Sequence, residues 1–292
     1  MEKMIAETLY PSQCSLGEGP IWHAERNCCY WVDIEKGILF EYDWKSKQTR
    51  HWNFDHYVTL VLPAGKNHVF LALDTSIARF DLLEEKIEWL FKVEDDEANR
   101  CNDGAVDASG RLWVGTMHKQ HQQGAGALYS IDSDRNISRK ISNTTISNGI
   151  VWSLDGKRMY YIDSGAQFVQ SYLFDEATGE ISFEKNVIEV PKELGTPDGM
   201  TIDEEGMLWV AHWGGFGVYR WNPDTGELLQ KIELPVPQVT SCAFAGDNLD
   251  YLIISSSREN FTEKDQQDYP ESGNLFCIKM HVKGVEMPGC KL

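Results

Sequence analysis

Four polar residues of this chain occupy matching places in a repeated phrase. Glu18, Asn102, Asn148 and Asp198 each stand next to a glycine or one residue from it. Each leads into a short strand, a turn and a second strand marked by an aromatic residue. The leads fall 13, 11, 13 and 11 residues before Trp31, Trp113, Tyr161 and Trp209. Units repeated about an axis would bring the four side chains to one point. Two carboxylates and two carboxamides form an all-oxygen donor set, which suits a hard divalent cation: Ca²⁺, Mg²⁺ or Mn²⁺. Asp-Gly and Asn-Gly are also ordinary turn dipeptides. Four of them in phase argue for a shared site. Arg100, close before Asn102, is unusual company for a cation. It makes sense if it holds an anionic or carbonyl-bearing ligand of the metal.

Other chemistry is thinly signalled. The chain has no GxSxG elbow, HExxH pair or P-loop. Gly214-Gly215-Phe216-Gly217 follows no helix-opening pattern and reads as a loop near the site. His23, His118, His121 and His212 share no metal-ligand spacing. His118 lies in the loop after Trp113-Val114-Gly115-Thr116-Met117, a position flanking the site. The acidic run Glu94-Asp95-Asp96-Glu97 reads as a solvated loop leading into Arg100.

The elements that must position these residues follow from repeats. Short β-branched or aromatic strands recur around Trp31, Leu71, Trp113, Tyr161, Trp209 and Ile253, separated by 40, 42, 48, 48 and 44 residues. Most are followed by a strand ending on an aromatic and a polar residue, such as Leu39-Phe40-Glu41-Tyr42-Asp43. Turn chemistry such as Asn222-Pro223-Asp224-Thr225-Gly226 separates strands throughout. A four-stranded unit of roughly 40–50 residues is a propeller blade. Six such units predict an all-β, six-bladed β-propeller of four-stranded antiparallel blades, one domain over residues 1–292. No helical periodicity competes. Met4-Ile5-Ala6-Glu7-Thr8-Leu9 is expected to pair with the last blade and close the ring, because blade edges must be covered.

Composition bounds the function. An apolar fraction of 42% is ample for a core. The net charge of −18 disfavours nucleic acid and anionic membranes as partners. No run approaches the ~20 apolar residues of a spanning helix, and the N-terminus has no apolar signal region. Seven cysteines, odd in number and without CxxC spacing, read as free thiols in a reducing cytoplasm.

Several phrases carry a resemblance. They are Leu16-Gly17-Glu18-Gly19-Pro20-Ile21-Trp22, Arg100-Cys101-Asn102-Asp103-Gly104, Ser147-Asn148-Gly149-Ile150 and Thr196-Pro197-Asp198-Gly199-Met200. Leu234-Pro235-Val236-Pro237 leading to Thr240-Ser241-Cys242-Ala243-Phe244 continues them, as does Gly273-Asn274-Leu275-Phe276 leading to Val282-Lys283-Gly284-Val285. Taken in order over essentially the whole chain, they resemble the senescence marker protein/regucalcin/gluconolactonase family of six-bladed propellers. The resemblance implies Glu18, Asn148 and Asp198 as protein ligands of one divalent ion. Calcium comes first, and manganese, magnesium, zinc and iron are admitted. Arg100 and Asn102 would contact substrate, Asn102 also lying close to the metal, and Asp198 would double as general base. Where some relatives carry a substrate-contacting Glu after the Gly-Thr-Met phrase, this chain has Gln120, a departure that bears on which sugar is preferred.

The family's usual activity is hydrolysis of sugar lactones to aldonic acids. A lactone carbonyl needs a Lewis acid for the charge growing on its oxygen and a base to activate water. The expected partner is therefore a small sugar lactone, met by a monomer or weak homo-oligomer. Three alternatives stand beside this reading. They are a calcium-binding regulatory protein, a scaffold propeller with a structural ion, and a hydrolase of phosphotriesters or other lactones.

Overall fold

A computed structural model describes residues 4–292. The residues that set the sequence period are all second strands of blades. Trp31 lies on Cys28–Asp33, Leu71 on His68–Leu73, Trp113 on Leu112–His118, Tyr161 on Arg158–Asp163, Trp209 on Leu208–Trp213 and Ile253 on Tyr251–Ser256. All six are essentially inaccessible to solvent. Second strands have neighbours on both sides within a blade and further blades against both faces, so these positions favour large apolar side chains. Trp31 stacks on Phe40, and Trp113 meets Trp152 and Phe174 edge-on. Such pairs join strands and blades.

Six sheets, each built around four antiparallel strands, form the ring of a six-bladed β-propeller; in five of them the four are consecutive in the chain. The innermost strands are Gly17–His23, Val58–Pro63, Asn99–Val106, Ser147–Trp152, Thr196–Ile202 and Val239–Ala245. Each packs against the next, and the sixth packs against the first, which encloses a central channel. Glu7–Tyr10 pairs with Leu275–Lys279 as the outer strand of the sixth blade. The segment before it behaves differently from the expectation. Met4–Ile5 runs parallel to Leu228–Glu233 and adds a fifth strand to the fifth blade. Buried Ala6, whose N–H reaches Glu233 O at 3.1 Å, carries the chain across the gap between blades. The N-terminal segment thus covers two edges.

One short helix, Glu263–Asp268, interrupts the sixth blade. A capping box between Thr262 and Asp265 starts it. Six residues are too few to display a helical period, so the sequence repeat carries no trace of it.

Candidate metal and substrate site

All six innermost strands break register with their neighbours at the same level. The shifts fall between Glu18 and Ile21, Val58 and Leu60, Cys101 and Gly104, Asn148 and Ile150, Pro197 and Met200, and Val239 and Cys242. A bulge bends its strand and re-aims the side chains in it. The ring of bulges therefore divides the channel into two halves. It also accounts for the two spacings in the sequence. Glu18 and Asn148 still pair across to Val32 and Ile162, whereas Asn102 and Asp198 are the first residues inside their bulges. The other two blades place Thr59 and Thr240-Ser241 at this level. Two glycines let the inner strands close up. A Cβ on Gly149 would lie 2.9 Å from Asp198 O, and one on Gly199 would lie 2.2 Å from Ser241 Oγ.

Glu18, Arg100, Asn102, Asn148 and Asp198 are all buried. A one-way chain of hydrogen bonds links three of the five and ends next to a fourth. Arg100 Nη1 donates to Asn102 Oδ1 at 2.6 Å, and Asn102 Nδ2 donates to Asn148 Oδ1 at 2.9 Å. Asn148 Nδ2 donates to Ser164 Oγ at 2.7 Å, and Ser164 Oγ in turn donates to Pro197 O at 2.8 Å, beside Asp198. Both carboxamides are thereby fixed in orientation, and the Asn148 carbonyl keeps a lone pair free. The approach to the Glu18 and Asn148 strands is anchored from the end of the second strand. Asp33 accepts the N–H groups of Ser15 and Leu16, and Asp163 those of Thr145 and Ile146.

Electrostatics identify what this arrangement lacks. Burial, reinforced by the charge of Asp103, pushes the Glu18 carboxyl up to about 8. Burial, with Glu18 next, drives Asp198 well above the carboxylate range. Two dehydrated carboxylates close together resist ionising jointly unless a cation joins them. Asp198 Oδ1 is buried without any hydrogen-bond donor. Such an orphan is costly, and a divalent cation between Glu18, Asn148 and Asp198 would satisfy it. Among the described residues no group of three or more His, Cys, Asp or Glu side chains is placed for a metal. The candidate set therefore depends on the Asn148 amide oxygen as its third ligand, a donor type that hard cations accept. Arg100 forms no ion pair among the described residues, and burial holds its pKa down. Its guanidinium keeps further donors for a ligand.

Of the residues singled out in the sequence, Glu18, Arg100, Asn102, Asn148 and Asp198 meet at this level. Gln120 does not join them directly. It is exposed on the loop over residues 119–125, and its backbone N–H donates to His118 Nδ1. His212 belongs to the core instead: it stacks on Tyr219 and bonds Leu194 O through Nδ1. Glu94 of the acidic run is a clamp, accepting from Asn99 Nδ2, Thr116 Oγ1 and Tyr129 OH. Sequence reasoning missed Ser164, the anchors Asp33 and Asp163, and Asp103. The anchors carried a signal, an Asp directly after Trp31-Val32 and Tyr161-Ile162. Asp103, pushed up to about 6 by burial, lines a cavity of about 1070 Å³ below the bulge ring. That cavity is large but is lined by none of the five site residues.

Comparison with known proteins shows the family of the chain. The family model described as SMP-30/Gluconolactonase/LRE-like region matches residues 16–258. Human regucalcin is 35% identical over 292 residues, 98% of each chain. YvrE of Bacillus subtilis, provisionally named a sugar lactone lactonase, is 33% identical over 272 residues, 93% of each chain. Among solved structures, a luciferin-regenerating enzyme superposes with a TM-score of 0.91 at 33% identity, covering 99% of each chain. A calcium-binding protein, regucalcin, from Agrobacterium tumefaciens reaches 0.93 at 26% identity over 100% of each chain. The chain belongs to the SMP-30/gluconolactonase/LRE-like family.

Proposed function

We propose that this protein is a metal-dependent lactonase that opens sugar lactones to aldonic acids. The observation that carries the reading is the buried, donorless Asp198 Oδ1 at the level of Glu18 and Asn148, with Arg100, which forms no ion pair among the described residues, on the same level. Glu18, Asn148 and Asp198 would hold one divalent ion, calcium first, as the name of the Agrobacterium relative suggests. When bound, that ion supplies Lewis-acid stabilisation of the charge that grows on the lactone carbonyl oxygen.

The chain's own residues supply the rest. Arg100 and Asn102 orient the lactone oxygens, and Gln120 meets the sugar from the rim. Asp198 takes a proton from the attacking water as its oxygen bonds to the carbonyl carbon. The ring C–O bond then breaks, and the proton passes to the departing alkoxide. A strained ester needs only modest acceleration, so no covalent nucleophile is required. All seven cysteines are free thiols, which fits a reducing, cytoplasmic setting.

The test is a panel of aldonolactones, aromatic lactones and phosphotriesters, assayed after chelation and again with single divalent metals. Preferential opening of aldonolactones supports the proposal. Preference for another class moves the substrate assignment. Tight metal binding without any turnover turns the reading towards a cation-binding protein.

A further inference from the structure

Two loops stand over the mouth of the polar half-channel. One, over residues 257–274, follows Tyr251–Ser256 of the sixth blade; the other, over residues 119–125, follows Leu112–His118 of the third. In a six-membered ring these blades are opposite each other. The first loop begins tied to the strand that brings in Glu18. Arg258 N–H and Ser257 Oγ both donate to Ser15 O, at 2.9 and 2.8 Å. Glu259 N–H then donates to Ser257 Oγ at 2.8 Å, and Glu259 O accepts from Gln238 Nε2 at 3.1 Å. The Arg258 side chain turns back into its own loop, onto Ser272 O and Pro270 O. Ser257 and Arg258, the two residues before Glu259, are thus committed elsewhere.

Glu259 is half-buried, and among the described residues no hydrogen-bond donor or cation contacts its carboxyl. It nevertheless lies within electrostatic reach of the site. Arg100, Glu18 and Asp198 all feel its charge, and it feels Glu35 and His121. His121 comes from the opposing loop, so the field at Glu259 reaches across the mouth. Glu18 and Asp198 match a divalent cation and Arg100 adds one positive charge beside them, while Glu259 and Glu35 place negative charge above them. A free carboxylate there can accept hydrogen bonds from hydroxyl groups. It repels a second carboxylate.

We propose that Glu259 is a specificity-determining residue that sets negative charge at the mouth, admitting uncharged polyhydroxylated lactones and excluding lactones that carry a carboxylate. This rests on the lactonase reading above. Glu259→Gln and Glu259→Lys should each raise the kcat/KM ratio of glucaro-1,4-lactone over glucono-1,5-lactone, on the order of 10-fold for Gln and more for Lys. The change should lie mainly in KM for the anionic lactone and shrink as salt is raised. Calorimetry gives a readout independent of turnover: glucarate should bind the metal-loaded Gln variant about 10-fold more tightly than wild type. Ratios and affinities within 2-fold of wild type in both variants, with melting temperatures unchanged, would overturn the assignment while leaving the lactonase reading intact. If wild type opens neither lactone with any metal, both fall.

Discussion

Above the ring of bulges the innermost strands carry Glu18, Arg100, Asn102, Asn148 and Asp198; below it they carry Ile21, Leu60, Ile150, Met200 and Phe244. The upper half concentrates charge that burial makes uncomfortable. The lower half is walled mainly by apolar side chains and crossed by the C-terminal segment over residues 285–292, whose Lys291 N–H reaches Gly110 O at 2.9 Å. One set of strands thus serves two purposes, and the bulges are where the purpose changes. Below them, regular pairing keeps apolar residues on shared surfaces and stabilises the ring. Above them, broken pairing turns polar groups inward, where they are destabilising until a ligand joins them.

The largest separation of the halves should come from removing metal. Chelation should reduce lactone opening to the spontaneous rate while circular dichroism stays that of a β-propeller. Loss of the fold on chelation would show that the upper half is structural instead. Next in size is Arg100→Ala, which should leave metal content intact and lower kcat/KM about 10-fold or more, as for one charged hydrogen bond worth ~1.5–3 kcal/mol. Full activity in that variant would displace the substrate from Arg100.

The lower half should answer in stability alone. Phe244→Ala empties part of its wall and should cost about 3 kcal/mol in denaturant unfolding. Its kcat/KM, measured where the variant is folded, should stay within about 2-fold of wild type. A large activity loss at full folding would mean that the halves are coupled.

The smallest effect concerns His212, which lies behind the upper half, paired across to Pro197. Burial holds its pKa down at about 4, below the ordinary value of 6.5. The unfolded chain therefore takes up a proton first as pH falls, and stability is lost from about pH 6.5 down to about 4. This one group should cost about 2 kcal/mol by pH 5. His212→Asn should be less stable at pH 8 but lose less on going to pH 5; parallel pH profiles would contradict the assignment.

The ring was legible because its period is written in bulky residues. Trp31, Leu71, Trp113, Tyr161, Trp209 and Ile253 occupy one structural position, and burial demands such side chains there. The meeting of Glu18, Asn102, Asn148 and Asp198 was legible for a related reason, since equal phase in a closed ring means equal height in the channel. The bulges were not. A register shift of one or two residues leaves only a glycine or a small hydroxyl as its trace, as at Thr59 and Thr240. Ser164 was hidden because its role lies in a contact to the next blade. Glu259 sits in a loop outside the repeat, where position cannot be read from phase. Met4–Ile5 changed blades because a two-residue strand has no pattern by which to choose its edge.

The central claim is that Asp198 both holds the ion and takes the proton from water, and Asp198→Asn tests it most directly. Asparagine keeps a carbonyl oxygen at the same reach but has no basic carboxylate. Metal affinity and lactone turnover should be measured on one preparation, at saturating metal and against the spontaneous reaction. The account predicts a partial loss of metal affinity and a fall in kcat of about 10²–10⁴-fold. A variant that binds metal and opens lactones at the wild-type rate would contradict it, leaving Asp198 a ligand and the base elsewhere.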